Sequence, residues 1–328
     1  MYILLIIFSL SAILSRLNTS NYFIDILSQL SFQILLGGIV LFLILTLLKK
    51  PKMSFISMIL CLFLAIDILI PCKNCKSSFK KNTEDLKKIR LMTFNTSYSP
   101  TDSSLPEWFV DLERFLIQNK NVEIKNDKSL DSLKKLVLIE NPDLVQFQEV
   151  TSEFEKKIKI MEANFPYKHI VKYKFPGIAN SIILSKYPLE KDDDNSSLVK
   201  IIMDDTKVNI MSVHLYSTLN QKRYDIAGEQ TKMITNAAKN IKGDLIIVGD
   251  LNMTPVSKRY VDFLRESNLY TDVSFSNPTF TWPSFLPYYL GIQIDHILFS
   301  ENVKMVRKKT TETLGSDHRP LVVDLIFM

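Results

Sequence analysis

The first 71 residues constrain the fold more than any other segment, because they are almost wholly apolar. Their charged side chains are Arg16, Asp25, Lys49, Lys50, Lys52 and Asp67. Ser31–Leu48 and Met53–Ile70 are each 18 residues long, about the length a helix needs to cross a bilayer. Met1–Leu14 is shorter and is either a third span or an uncleaved signal-type anchor. We predict that residues 1–71 form a membrane anchor of two or three transmembrane helices. Burial as core helices of a soluble protein fits less well, since these stretches lack polar faces.

Lysines around the spans bear on their orientation. Lys49, Lys50 and Lys52 form the loop between the two longer spans and favour a cytoplasmic loop. With three spans, the large C-terminal region lies outside the cytoplasm. Lysines that follow the last span argue for the opposite orientation, but long domains translocate largely regardless of such charges. We therefore expect an integral membrane protein whose large domain is extracytoplasmic.

A polar segment over residues 72–88 reads as a juxtamembrane linker, and residues 89–328 form the remaining domain. The linker opens with Cys72 and Cys75. No second cysteine pair or nearby histidine completes a zinc site with them. The pair would form a disulfide outside the cytoplasm and stay as thiols inside it.

Beyond the anchor the chain is nearly neutral. The anchor holds four of the 40 basic and two of the 35 acidic residues, so residues 72–328 carry 36 basic and 33 acidic side chains, a balance of +3. Nucleic-acid-binding domains usually show a stronger basic footprint. The charge therefore argues against a dedicated DNA-repair enzyme and remains compatible with a nuclease.

Short apolar runs alternate with helical stretches through the large domain. The predicted strands are Ile89–Asn95, Leu144–Glu149, Ser181–Ser185, Val208–Leu215, Leu245–Asp250, Ile294–Phe299 and Leu321–Phe327. The predicted helices are Glu107–Gln118, Leu130–Ile139, Thr151–Asn164, Gln221–Ile241 and Lys258–Ser267. Strands that alternate with helices predict an α/β architecture with helices outside the sheets.

Residues suited to metal and phosphate chemistry cluster at the ends of these strands. They are Asn95, Glu149, Asp250 and, in the loop before the last strand, His318. Because a rigid sheet fixes the side chains that its end loops display, these residues predict one site. Carboxylate and amide oxygens suit Mg²⁺, which takes one or two carboxylates and keeps waters. Asp295 and Asp317 would orient His318 and raise its basicity.

Each of these residues also has an ordinary interpretation. Glu149 alone could be a surface carboxylate, Asp250 a turn residue and Asn252 a cap. Histidine placement favours a site, because three of the four histidines lie in strand-end strings: His214, His296 and His318. The fourth, His169, is expected to be structural or exposed.

Taken in order, these strings resemble the motifs of the endonuclease/exonuclease/phosphatase superfamily. They are Thr93-Phe94-Asn95, Gln148-Glu149, Gly177 through Ser185-Lys186-Tyr187-Pro188, His214, Gly249-Asp250-Leu251-Asn252, Asp295-His296 and Ser316-Asp317-His318-Arg319-Pro320. Gly-Asp-x-Asn alone is a weak signal, but the ordered set is specific and covers about Ile89 to Phe327. The resemblance implies a four-layer α/β/β/α sandwich, in which two mixed β-sheets pack face to face with helices outside.

The resemblance also implies metal ligands. Glu149 would be the principal ligand of a divalent cation, with Asn95 nearby and Asp317 contributing. The implied cofactor is Mg²⁺, with Mn²⁺ as a substitute.

Catalytic roles follow from the same resemblance. Asp250 would position or deprotonate the attacking water, and Asn252 would hydrogen-bond the phosphate. His318, oriented by Asp295, would contact the phosphoryl oxygens or transfer a proton. His214 would be the second histidine on the phosphate.

The chain departs from the superfamily pattern in one stretch. Asn95 and Glu149 are farther apart than usual, so Ser97–Lys128 is interpreted as an insertion. It contains Trp108, which either forms an aromatic rim over the site or packs at a helix start. Trp282, in a second aromatic cluster, would stack on a base, meet a lipid headgroup or pack in the core.

These observations predict a membrane-anchored, Mg²⁺-dependent phosphoesterase. Nuclease activity is favoured, with Lys172, Lys174, Lys186 and Trp282 as a modest binding groove. The alternative is a phospholipid or small-molecule phosphodiesterase or phosphatase, for which an anchor raises the effective concentration. A non-catalytic scaffold is less expected, because the catalytic set is intact. The expected partners are the lipid bilayer and the phosphate-ester substrate, nucleic acid or phospholipid; no protein partner is evident.

Overall fold

The computed structural model describes residues 1–17, 21–69, 86–96, 127–175, 178–272, 278–312 and 314–328. The predicted helix Glu107–Gln118, with Trp108, lies outside the described residues. Cys72, Cys75 and most of the segment interpreted as a linker also lie outside them.

The N-terminal residues form four helices: α1 (Tyr2–Leu14), α2 (Tyr22–Gln29), α3 (Ser31–Leu47) and α4 (Pro51–Leu69). Buried side chains of α1, α3 and α4 pack together, with Phe8, Leu45 and Leu64 at the centre. Many of the remaining large apolar side chains of these helices are exposed. The two long apolar stretches are thus helical, as predicted.

Within the described part of the chain, no single helix is both long and apolar enough to cross a membrane. In the same part of the chain, α2 and α3 together have the length and composition of a span, as a pair bent by 64°. The predicted transmembrane character of α3 and α4 therefore stays a prediction.

The large domain is built on two sheets. Their strands are β1 (Lys88–Asn95), β2 (Leu144–Gln148), β3 (Tyr167–Val171), β4 (Ser181–Ser185), β5 (Leu189–Lys191), β6 (Leu198–Met203), β7 (Thr206–His214), β8 (Leu245–Asp250), β9 (Asp295–Phe299), β10 (Val303–Thr310) and β11 (Leu321–Phe327). The first sheet has the order β10-β11-β1-β2-β4-β3, and the second has the order β5-β6-β7-β8-β9. Both are mixed, because β1 and β2 run parallel, as do β7 and β8, while the other neighbours are antiparallel.

Helices cover the outer faces of the sheets. They are α5 (Asp127–Glu140), α6 (Ser152–Ile158), α7 (Gln221–Asn240) and α8 (Lys258–Ser267), with short 3₁₀ turns at Lys159–Met161 and Tyr288–Leu290. One apolar cluster joins the facing sides of both sheets. A second joins the first sheet to α5 and α6, and a third joins the second sheet to α7 and α8. The prediction of two mixed sheets flanked by helices is confirmed.

Sequence patterns missed four strands, namely β3, β5, β6 and β10. Three of them, β3, β5 and β10, lie at sheet edges. Edge strands pair on one side only and carry more polar residues than central strands. In β10, for example, Val303 and Met305 are buried while Arg307 is exposed. The central strands, buried on both faces, gave the continuous apolar signal.

Candidate active site

Strand register brings the predicted residues to one end of the sandwich. In the first sheet, Asn95 pairs with Gln148, so Asn95 and Glu149 leave neighbouring parallel strands at the same edge. In the second sheet, His214 pairs with Asp250 and Asp250 pairs with Asp295, which places these three residues in one row. We call His214, Asp250 and Asp295 the catalytic row.

Asn95 joins the two sheets at the site. Its Nδ2 lies 3.1 Å from Glu149 Oε1 and 3.2 Å from Asp250 Oδ2, and it donates a hydrogen bond to each carboxylate. His214 Nε2 lies 3.5 Å from the same Glu149 oxygen. The acid at the end of β2 and the acid at the end of β8 thus face one another across a single amide.

The backbone of Glu149 is unusual, with φ of +53°. The left-handed region is uncommon for a residue other than glycine, asparagine or aspartate, and such residues cluster at functional sites. The Glu149 side chain keeps 31 % of its surface exposed, whereas Asp250 keeps 2 %. Glu149 is therefore the acid of this group that solvent reaches.

His318 connects two buried carboxylates. Its Nδ1 lies 2.7 Å from Asp295 Oδ2, and its Nε2 lies 3.8 Å from Asp250 Oδ2. Burial by itself would lower the pKa of His318, but Asp295, Asp317 and Asp250 outweigh it and raise that pKa to about 10. Although burial raises the pKa of Asp295, His318 outweighs it and brings that pKa below its usual value. The two residues therefore form a buried ion pair that orients the imidazole.

The other two members of the catalytic row have shifted protonation equilibria. Burial, together with nearby Asp295, raises the pKa of Asp250 well above the ordinary carboxyl value. Burial lowers the pKa of His214. Asp250 therefore binds a proton more readily than an exposed aspartate, which is a property of a general base.

The loop that carries His318 is held by residues whose role the sequence did not reveal. Ser316 Oγ donates to the Asn95 carbonyl at 2.7 Å and accepts from the His318 amide at 3.0 Å. Trp282 Nε1 donates to Asp317 Oδ2 at 2.9 Å. In the sequence, the aromatic cluster around Trp282 was the signal that pointed to this loop. Trp282 is thus a hydrogen-bond partner of Asp317, a predicted metal ligand.

Asn252 lies beside the catalytic row with φ of +48°. Its amide N–H donates to Asp250 Oδ1 at 2.8 Å, and its Nδ2 donates to the Leu215 carbonyl at 2.8 Å. These bonds hold the turn after β8 against the end of β7. The predicted contact of Asn252 with phosphate stays a prediction.

Two histidines lie away from this chemistry. His296 Nε2 lies 2.7 Å from the Met253 carbonyl, and its ring packs on Tyr260 with centroids 4.6 Å apart. His169 Nε2 lies 2.7 Å from the Ser196 carbonyl. Both histidines are buried. His169 is therefore structural, one of the two roles expected for it, and His296 is also structural.

The lysines of the predicted groove are separated. Lys172 and Lys174 line a cavity of about 210 Å³ beside His214, together with Met233. Lys186 follows β4, which runs antiparallel to β2. Its Nζ therefore lies at the end of the strands opposite the site, 2.7 Å from Asn141 Oδ1. The prediction that Lys186 joins a groove at the site is wrong, because strand direction carries it away.

Gly249 lets β7 and β8 approach closely just before Asp250. Its φ is +142°, and a Cβ at this position would lie 1.9 Å from the Val213 carbonyl oxygen. No side chain fits there without movement of the backbone. The glycine of Gly249-Asp250-Leu251-Asn252 is therefore a steric requirement of the site.

We expect Gly249→Ala to lower the free energy of unfolding by about 2–4 kcal/mol, because strand separation or backbone strain must relieve the clash. Chemical denaturation of the full chain in detergent, followed by tryptophan fluorescence, measures the change. Gly228→Ala is the control, since nothing lies within 4 Å of its Cβ position on α7. Equal stability of the two variants would contradict the steric argument.

The donor set fits a hard divalent cation. Glu149 and Asp250 supply carboxylate oxygens, the ligands a hard cation takes, and both carboxylates accept a hydrogen bond from Asn95 Nδ2. Asp250, Asp295 and His318 also offer ligand atoms that all lie within 4.8 Å of one another. The predicted set of Glu149, Asn95 and Asp317 stays a prediction.

Comparisons with known proteins give a consistent result. The model of the Endonuclease/Exonuclease/phosphatase family matches residues 92–318. Among curated proteins, no sequence matches. Among solved structures, beta toxin 275-280 from Staphylococcus aureus is 18 % identical, with a TM-score of 0.53, over 72 % of this chain and 99 % of its own.

Two further structures are similar. One is the endonuclease/exonuclease/phosphatase from Beutenbergia cavernae, which is 14 % identical with a TM-score of 0.51, over 74 % of this chain and 72 % of its own. The other is a mutant of the S. aureus beta toxin with bound magnesium ions, which is 18 % identical with a TM-score of 0.50, over 72 % and 99 % of the two chains. At these identities the likeness shows the fold.

Proposed function

Because the chain belongs to the endonuclease/exonuclease/phosphatase family, we propose that it hydrolyses phosphate esters at the catalytic row while its N-terminal helices attach it to a membrane. Family membership makes it a metal-dependent phosphoesterase. The observation that carries the site assignment is the His318–Asp295 pair, with Asp250 3.8 Å from His318 Nε2. This constellation lies opposite Glu149, so that acid, base and metal-binding groups converge on one point.

Different side chains have different roles in the proposed hydrolysis. A divalent cation, when bound, supplies positive charge that stabilises the phosphoryl oxygens. Glu149 and Asn95 would hold that cation. Asp250 accepts the proton of the attacking water, for which its raised pKa suits it. His318, fixed through Nδ1 by Asp295, presents Nε2–H to a phosphoryl or leaving oxygen.

We take the cation to be Mg²⁺, with Mn²⁺ able to replace it. An oxygen donor set of carboxylate and amide supports a hard cation over a soft one. The magnesium ions in the mutant beta toxin structure belong to that protein, which shares the fold.

Removal of the metal should abolish hydrolysis. The full chain in detergent micelles, assayed on bis(4-nitrophenyl) phosphate, is expected to lose all but about 1 % of its activity in EDTA and to regain it with Mg²⁺ or Mn²⁺. The His318→Ala protein measures contaminating activity. Full activity in protein shown to be metal-free by elemental analysis would contradict the proposed function.

Membrane attachment is supported by the outward apolar residues of α1, α3 and α4, among them Ile3, Leu47 and Phe55, which are all exposed. Contiguous exposed apolar surface of this kind marks a protein or membrane contact. The protein should stay with membranes during alkaline carbonate extraction; release into the supernatant would contradict attachment. We propose that the domain lies outside the cytoplasm, so protease added to intact cells should cleave it.

Two substrate classes follow from the sequence. Nucleic acid is the favoured prediction, and Lys172 and Lys174 beside His214 support it. The position of Lys186, at the end of the strands opposite the site, weakens the nucleic-acid prediction. Phospholipid is the second candidate, and the exposed apolar residues of the N-terminal helices favour it.

A further inference from the structure

The N-terminal helices contact the large domain at its catalytic edge. Three loops meet the catalytic row: one follows His214, one follows Asp250 and one precedes Asp295. Each loop holds a contact with α2 or α3. The contact residues are Thr218, Thr254 and Gly291.

The three contacts are hydrogen bonds. Thr218 Oγ1 donates to Asp25 Oδ2 at 3.0 Å, and Thr254 Oγ1 donates to the Gln29 carbonyl at 3.1 Å. Gln33 Nε2 donates to the Gly291 carbonyl at 2.7 Å. Each bond joins an N-terminal helix to a loop of the catalytic row, so the apolar helices and the catalytic residues lie on the same side of the domain.

This contact is buried and polar. Asp25, Gln29, Thr218 and Thr254 are all less than 10 % exposed. Gln29 Nε2 also donates to Asp25 Oδ2 at 2.8 Å, and Arg259 Nη1 lies 4.0 Å from that oxygen. A buried carboxylate is costly without partners, and partners restrict it to one arrangement. The network therefore holds α2 in a defined orientation on the domain.

Apolar surface continues from this contact. Tyr289 and Leu290, which precede Gly291, are 66 % and 49 % exposed. On α3, exposed apolar residues begin at Ile39, less than two turns after Gln33. Tyrosine is enriched at the boundary between bilayer and water. The exposed apolar residues of the helices, together with Tyr289 and Leu290 beside the Gly291 contact, thus suit a bilayer and its headgroup layer.

We infer that the substrate is the phosphodiester of a membrane phospholipid, presented to the catalytic row because α2 holds that row toward the bilayer. This inference rests on the proposed function. The oxygen of water bonds to phosphorus, one P–O ester bond breaks, and the leaving alkoxide takes a proton. The products are one alcohol and one phosphomonoester. The balance of only +3 over residues 72–328 also favours a lipid over a polyanion.

The test uses the full chain reconstituted in vesicles of phosphatidylcholine and phosphatidylglycerol with Mg²⁺. Lipid products are measured by mass spectrometry, and the same vesicles are offered bis(4-nitrophenyl) phosphate and single-stranded DNA. We expect hydrolysis of vesicle lipid and of the soluble diester, but not of DNA. Asp25→Ala and, independently, Gln33→Ala should lower lipid hydrolysis at least about tenfold and leave hydrolysis of the soluble diester unchanged. Asp262→Ala, on the outer face of α8, is the matched control and should change neither rate.

The outcomes separate this inference from the proposed function. Cleavage of the soluble diester and DNA, but of no vesicle lipid, would overturn the inference and leave the phosphoesterase function standing. Cleavage of none of the three substrates would overturn both. Lipid hydrolysis at the wild-type rate by both α2–α3 variants would show that the contact does not present the substrate.

Discussion

Replacing His318 with alanine is expected to lower kcat for phosphodiester hydrolysis by at least about 10³-fold, because in the proposed mechanism its Nε2–H meets a phosphoryl or leaving oxygen. The imidazole is buried between Asp295 and Asp250, with Nδ1 2.7 Å from Asp295 Oδ2 and Nε2 3.8 Å from Asp250 Oδ2. Steady-state hydrolysis of bis(4-nitrophenyl) phosphate by the full chain measures the change.

The loss must be separated from a folding defect. Removal of His318 leaves Asp295 as a buried carboxylate without its cation, so some destabilisation is expected. His318→Asn keeps a polar group on Asp295 and should regain stability without regaining activity. His169→Ala tests a histidine outside the site and should retain activity. Activity of His318→Ala within about tenfold of wild type would contradict the assigned role.

Replacing Glu149 with glutamine is expected to weaken Mg²⁺ binding at least about 100-fold and to reduce activity in proportion at low Mg²⁺. The substitution keeps size and removes the negative charge that a hard cation requires. Because Asn95 Nδ2 already donates to Glu149 Oε1, the amide can keep part of the local structure. Calorimetric titration with Mg²⁺ gives the affinity without any reference to turnover.

Glu153→Gln is the matched control for Glu149. Glu153 lies four residues later on α6, where it pairs with Lys157 at 3.0 Å and keeps 69 % of its side-chain surface exposed. It loses the same charge in the same part of the chain. Wild-type Mg²⁺ affinity is expected for this variant. A Mg²⁺ affinity of Glu149→Gln equal to that of wild type would indicate that the cation binds at Asp250 and Asp295 instead.

Most of the large domain could be predicted from local patterns. Strands β2 and β8 are buried along their whole length and β1 and β7 along most of theirs, and apolar runs of that kind mark central strands. The predicted helix Lys258–Ser267 matches α8 residue for residue. Edge strand β10 was missed because pairing, rather than composition, defines an edge. Lys186 was misplaced because its direction depends on the antiparallel pairing of β4 with β2.

The site, too, could be predicted only in part from the sequence. Its residue types stood at strand ends, so Glu149, Asp250 and His318 could be named before any coordinates. Their partners could not. Trp282 on Asp317 and Ser316 on Asn95 are contacts between loops, and no spacing in the sequence encodes them.

By itself, the sequence determined the kinds of chemistry available, the strand and helix order, the family and the apolar N-terminus. Only the tertiary structure decided which groups meet. Asp25 reads as a stray charge in an apolar segment, yet its partner Thr218 lies 193 residues away, beside the catalytic row. Side-chain periodicity reports only the local backbone and its burial, whereas a distance between remote residues depends on strand register and sheet packing. That is why the location of the catalytic edge beside the N-terminal helices emerged from the fold.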